Sequence, residues 1–333
     1  MECGINLGMP NPTLAPADQL GEWRQTLAAA REAGFSFVSF LHQWLSHPFQ
    51  FLAPLPTLAW MAGQFPDFHY ATGVLQLPVL NPVQLAEDVM TADYLTNGRF
   101  LLGVGLGYRP ELFEAAGARR DDRVARFEEA IELMRALWSG AEVDHDGKFF
   151  TCHGRLARRP VQRPHPPIII GAQSRGAARR AGLLGEGWYI PSQVAEPDLD
   201  DLFPVYLDAR REAGRPGPGV VILTRNVCVA PTDEQAVEHA RGFMGDTFGA
   251  YRAWGLEERT TVRVHRGFDE EISQRAIVGS VDTCRRRLRT LCERFPISHL
   301  QLRPQGPGFQ STEAGLRQAL GLLGAEVLPA LTA

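Results

Sequence analysis

The chain has 333 residues, of which 44% are hydrophobic and 22% charged, with a formal net charge of −4. That content can bury a large core, and the length suits one α/β barrel with insertions or two ordinary domains. The balance of charge offers no nucleic-acid surface and no basic membrane patch, and no apolar run approaches the length of a bilayer span.

In chain order, a first strand is expected at Gly4–Leu7, followed by a helix over Leu20–Ala33 that Gly34 stops. Strand two is Ser36–Leu41 and strand three Tyr70–Leu77, after which Leu77-Pro78 and Asn81-Pro82 read as a turn and a helix start. Strand four, Phe100–Val104, leads to a helix with Val124, Phe127, Ile131, Met134 and Leu137 on one stripe. An insertion near 139–160 carries Asp146-Gly147, a hairpin-turn signal. Strands five to seven are Pro167–Ile170, Trp188–Ile190 and Val220–Ala230. A polar, aperiodic insertion near 255–279 precedes Ile277-Val278-Gly279-Ser280, read as the opening of a helix, and strand eight, His299–Leu302. The last helix aligns Leu316, Leu320, Leu323, Val327 and Leu331. Short apolar strands alternating eight times with helices predict a (β/α)8 TIM barrel, a single domain over 1–333 whose surplus length sits in the insertions.

Five cysteines lie scattered without a C-x-x-C, which argues against a disulfide framework or zinc site and for a reducing compartment. With no signal peptide visible, a soluble cytoplasmic protein is expected. The histidines lack metal spacing and no G-x-S-x-G elbow occurs, so neither a metal nor a hydrolase is expected.

A barrel builds its active site at the C-terminal ends of its strands. His42 follows strand two, where an ordinary imidazole suits proton transfer or simply caps a loop. Gly73 marks a close backbone approach or a bulge, and Gln76 faces the same side as Val74, toward substrate. The run Gly103-Val104-Gly105-Leu106-Gly107-Tyr108 lacks the spacing of a dinucleotide fingerprint. It reads better as a strand whose backbone lies close to a planar ring, with glycines clearing the space. Ala172-Gln173-Ser174-Arg175-Gly176 turns directly from strand five into a helix. Free N–H groups, a hydroxyl and an arginine there make an anion site, and Ser174 is equally an N-cap. Arg123 and Arg126 open another helix, where a structural ion pair with Glu128 or Glu129 is one reading. Trp44, with Phe49, Phe51, Trp60 and Phe65, is a candidate for an apolar substrate pocket or for loop packing.

The order of these motifs, from Ala71-Thr72-Gly73-Val74 through Gly103–Tyr108 to Ile168-Ile169-Ile170-Gly171-Ala172, resembles the bacterial luciferase-like monooxygenase superfamily. The resemblance implies a flavin-dependent monooxygenase, with reduced FMN supplied by a separate flavin reductase and O2 used to oxygenate a small organic substrate. It implies that His42 acts beside the flavin, although Leu41 stands where the family pattern usually has an acidic residue. It further implies that Thr72, Gly73 and Val74 lie against the ring, with a cis peptide between Gly73 and Val74. Gly105, Leu106, Gly107 and Tyr108 would border the ring and ribityl chain, and the turn Ala172, Gln173, Ser174, Arg175 and Gly176 would hold the phosphate. Arg123 and Arg126 stand at positions where the family also carries arginine, so an approach of one of them to a phosphate is the other reading of that pair. A homodimer is implied too, through helices flanking strands two and three. Two alternatives stand beside this reading: a hydride-transfer oxidoreductase using the deazaflavin coenzyme F420, and a non-catalytic flavin-binding protein.

Overall fold

The structure, a computed structural model, describes residues 1–7, 13–41, 43–45, 47, 51–241, 268–304 and 313–332. In chain order the strands are β1 (Glu2–Asn6), β2 (Phe37–Phe40), β3 (His69–Thr72), β4 (Leu75–Gln76), β5 (Phe100–Gly105) and β6 (Val143–Asp146). There follow β7 (Thr151–Gly154), β8 (Ile168–Gly171), β9 (Gly187–Ile190), β10 (Val220–Val229), β11 (Ala276–Gly279) and β12 (His299–Pro304). Eight of them close into a parallel barrel in the order β1, β2, β3, β5, β8, β9, β10, β12, with β12 returning to β1. All eight expected strands are in that ring, and the (β/α)8 TIM barrel is the fold observed.

The period of two along each strand divides the core into inside and outside. Outward-facing Val38, Tyr70, Leu102, Ile170, Trp188 and Leu300 are buried under the helices. Inward-facing Phe37, Ala71, Leu101, Ile169, Tyr189 and Ile222 meet as a separate cluster that fills the barrel. Two positions further along the same faces the residue types change to Ser39, Gly73, Gly103, Gly171 and Thr224. A bulky apolar layer therefore gives way to a small, polar one, which leaves open space above it.

Three departures from the sequence reading concern this end of the barrel and its surroundings. Strand three does not run to Leu77: it ends at Thr72, and Leu75-Gln76 resumes pairing with β5 as β4, whereas the Gly73-Val74 peptide between them is cis, as the resemblance implies. The backbone comes so close here that a Cβ on Gly103 would lie 1.9 Å from the Thr72 carbonyl oxygen. Second, the segment read as an aperiodic insertion contains a helix, Phe268–Arg275, and strand β11. β11 pairs with the outer half of β10, Asn226 to Val229, beyond the stretch that pairs with β9. Ser280 still opens a helix: its hydroxyl accepts from Thr283 N over Val281–Arg294. The four-residue apolar run before it was too short to separate from a helix start by pattern alone. Residues 255–267 of this insertion lie outside the described residues. Third, Arg126 turns to the chain's own groups and is not among the residues lining the cavity at the strand ends. It donates from Nε to the Pro78 carbonyl at 2.9 Å and lies over the Phe149 and Phe150 rings.

The first insertion is the expected hairpin, β6 against β7, with Asp146 opposite Thr151. The Glu129 carboxylate accepts from Phe149 N at 3.0 Å and Phe150 N at 2.8 Å, tying the turn to the helix Arg123–Trp138. Glu128 pairs instead with Arg180 at 3.5 Å, so neither acid partners Arg123 or Arg126 in an ion pair. Among the described residues no helix is long and apolar enough to cross a membrane.

Candidate active site

Above the polar layer, at the C-terminal ends of the strands, lies a cavity of about 370 Å³. One wall is apolar: Val74, Leu106, Ala172 and Leu41. Gly105 and Gly171 keep that wall flat, since a Cβ on either would meet the Val74 methyls at 3.0 and 3.4 Å. Gly107 turns the chain away with φ +72°, a conformation that favours glycine.

The floor is a hydrogen-bonded polar cluster drawn from four barrel strands. Gln301 on β12 accepts through Oε1 from Tyr189 OH at 2.7 Å and from Ser39 Oγ at 2.9 Å. Asn6 Nδ2 in turn donates to Ser39 Oγ at 3.0 Å. Tyr189 is 5% exposed and packs under Gly73, where a Cβ would come within 2.7 Å of its hydroxyl. Burial pushes the Tyr189 phenol up, against the opposing pull of hydrogen bonds with Ser39 and Thr224 and the charge of Arg303. A buried phenol of this kind is a neutral donor.

Three arginines line the cavity, Arg120, Arg123 and Arg303, and no acidic side chain does among the described residues. Arg123 donates to the Arg120 carbonyl at 3.0 Å, while Arg120 Nε is buried without a partner. Arg120 and Arg123 come from the segment that follows β5. The next barrel strand, β8, feeds the helix Arg175–Leu184, whose N-cap Ser174 accepts from Ala177 N at 3.4 Å and also lines the cavity. The cavity lining thus includes a serine-capped helix start and two guanidinium groups, chemistry that suits an anion.

Most of the residues singled out from the sequence come together here. Gly73, Val74 and Gln76 line the cavity; so do Gly105, Leu106, Gly107 and Tyr108, and likewise Ala172, Gln173 and Ser174. Gln76 Nε2 reaches Gln43 Oε1 at 3.4 Å. Four do not line it. Thr72 is fully buried and gives its hydroxyl to the Gly103 carbonyl at 2.8 Å. Arg175 reaches out to the Asp201 carbonyl at 3.4 Å, and Gly176 lies behind it in the first helical turn. Trp44 packs against Val79, Leu112 and Phe113 and borders a different cavity, of about 330 Å³. The apolar pocket imagined around it dissolves: Trp60 lies against Trp23, and Phe65 sits in the core beside Phe68. His42 and Phe49 lie outside the described residues, although Leu41 and Gln43, on either side of His42 in sequence, both line the cavity.

The sequence reading missed Tyr189, Thr224, Gln301 and Arg303. Tyr189 and Thr224 were inside recognised strands, and a count by twos from any inward-facing residue would have found them. Arg303 lay just beyond the expected end of strand eight. Among the described residues no cluster of His, Cys, Asp or Glu could hold a metal ion.

The chain is similar to known proteins in sequence and in fold. The chain is 36% identical over 171 residues to an F420-dependent glucose-6-phosphate dehydrogenase of Nocardia farcinica, a match covering 48% of this chain and 50% of the relative. The chain thus spans about half the length of that curated relative. In fold it is similar to the monooxygenase RslO1 of Streptomyces bottropensis, with TM-score 0.81, 24% identity and 99% of each chain covered. It is also similar to the oxygenating constituent of 3,6-diketocamphane monooxygenase from Pseudomonas putida, a type II Baeyer-Villiger monooxygenase in complex with FMN. That match has TM-score 0.80 and 21% identity and covers 99% of this chain and 98% of the other. The luciferase-like monooxygenase family model matches residues 1–298, and the chain belongs to that family.

Proposed function

We propose that the cavity binds reduced FMN and that the protein is a flavin-dependent monooxygenase acting on a small organic substrate. The observation that carries this reading is the lining itself: an apolar wall together with a serine-capped helix start and two arginines that have no acidic partner among the described residues. An aromatic ring system ending in a phosphate matches that division of chemistry. Val74, Leu106 and Ala172 supply the ring wall, and Arg120, Arg123 and Ser174 the phosphate end. When bound, the cofactor supplies two electrons and activates O2. The chain contributes position, exclusion of water by the apolar wall, and a neutral phenol, Tyr189, fixed by Gln301 at the floor. His42, beside the lining residues Leu41 and Gln43, is assigned the proton transfer. A separate flavin reductase would supply the reduced cofactor.

One observation favours a second reading, hydride transfer with coenzyme F420: the Nocardia farcinica relative, itself F420-dependent, is more identical to this chain than either monooxygenase structure. The same wall and anion pole suit a deazaflavin phosphodiester. Anaerobic titration with reduced FMN and reduced coenzyme F420, followed by oxygen uptake with the tighter binder, tests the choice. Tighter FMN binding with substrate-dependent oxygen uptake supports the monooxygenase; tighter F420 binding and turnover without oxygen replaces it.

A further inference from the structure

The cavity has a second cationic pole that the cofactor reading leaves unused. Arg120, Arg123 and Ser174 belong to the segments after β5 and β8, the fourth and fifth strands of the barrel ring. Arg303 belongs to β12, the eighth strand, half a turn of the barrel away. It stands two residues beyond Gln301 on the same strand, and both line the cavity. Gln301 is committed to Tyr189 and Ser39. The Arg303 guanidinium has no hydrogen bond or ion pair with any described residue, yet its charge reaches the Tyr189 phenol at the floor.

An arginine that lines a cavity without a carboxylate among the described residues to balance it leaves a charge that a bound anion would neutralise. One phosphate cannot serve both poles, since they stand on opposite sides of the ring. We propose that Arg303 binds an acidic group of the substrate, a carboxylate or phosphate, and so selects anionic substrates over their neutral analogues. The guanidinium fork offers two parallel donors to such a group. Arg303 would then hold one end of the substrate over the Tyr189–Gln301 floor. This inference rests on the cofactor occupying the pole at strands four and five.

The test uses FMN-loaded protein, in which the cofactor phosphate already fills that other pole. Inorganic phosphate, benzoate and neutral benzamide are titrated at constant ionic strength, with the flavin absorbance change as readout. Saturable binding of phosphate or benzoate is expected, weakened about tenfold or more by Arg303→Gln and less by Arg303→Lys, with benzamide unaffected. FMN affinity is measured on the same variants. It is expected to stay within about twofold for Arg303→Gln and to fall at least about tenfold for Arg123→Gln. Anion binding that is equal in wild type and Arg303→Gln overturns the proposal. So does a loss of FMN affinity in Arg303→Gln, which would move the cofactor phosphate to strand eight. Failure of wild-type protein to bind FMN overturns the cofactor reading instead, and the same anion titrations are then run on F420-loaded protein, with the same outcomes deciding.

Discussion

Ser174 shows how one side chain can serve a helix and a ligand together. Its hydroxyl caps the helix Arg175–Leu184 and its surface faces the cavity. Ser174→Ala is expected to weaken FMN binding while scarcely changing riboflavin, which has no phosphate. Loss of a cap alone would instead lower stability by about 1 kcal/mol and affect both flavins equally. Arg175 is the contrast: its guanidinium extends to the Asp201 carbonyl, so Arg175→Glu should change FMN affinity less than about twofold, well short of the loss of a charge-assisted bond. A large drop would mean that the side chain swings to the phosphate. His42→Ala should lower turnover by roughly 10²–10⁴ with flavin affinity retained, the range for a lost general acid or base; unchanged turnover would end that assignment. Tyr189 gives a prediction in pH. Burial raises its phenol above the ordinary value, so it stays protonated, and a donor, throughout the working range. The pH–rate profile below about pH 9 should therefore have the same shape in Tyr189→Phe as in wild type, with only its height reduced. An alkaline limb that disappears in the variant would contradict this.

At the scale of elements, the segment between the hairpin and β8 is held by one buried carboxylate. Asp93, fully buried on the helix Pro82–Leu95, accepts from Val161 N at 2.6 Å, Gln162 N at 2.9 Å and Gln162 Nε2 at 2.7 Å. Asp93→Ala strands these donors and should cost about 3 kcal/mol, read by chemical denaturation; a loss below about 0.5 kcal/mol, the usual scale of surface substitutions, would show that water replaces the carboxylate easily. Nothing in the local pattern announces Asp93, because its partners lie some seventy residues on. What the sequence did announce were elements whose cause is local. The eight barrel strands stand out as short apolar runs, and the Asp146-Gly147 turn, the Ser174 cap and the helix opening at Ser280 act within a few residues of themselves. From local pattern the break at Gly73 was legible only as a glycine, since the bend depends on β5 passing close by; its cis peptide came only from the family resemblance. β11 escaped because a four-residue apolar run gains its strand identity from β10, fifty residues earlier. Arg303 and Tyr189 became site residues only when the barrel closed and brought strands six and eight to the same floor.

At the scale of the whole molecule, the helices expected to mediate a dimer are largely committed elsewhere. Ala86, Val89 and Ala92 are buried in the chain's own core, whereas Tyr94 and Leu95 at the end of that helix are 58% and 51% exposed. We expect a homodimer at micromolar concentration by light scattering, with Leu95→Asp shifting it toward monomer; a monomeric wild type would contradict the pairing carried over from the family resemblance. The barrel closure also sets the polarity of the site, with one arginine pair after strand four, Ser174 after strand five and Arg303 at strand eight. The claim on which everything else depends is that the first pole holds a flavin phosphate. Equilibrium titration of FMN against riboflavin, in wild type and in the Arg120→Gln/Arg123→Gln double variant, tests it most directly. Wild type should bind both one-to-one, FMN at least about tenfold tighter, and the double variant should bind the two alike. No saturable binding of either flavin, or an FMN preference that survives in the double variant, would contradict it.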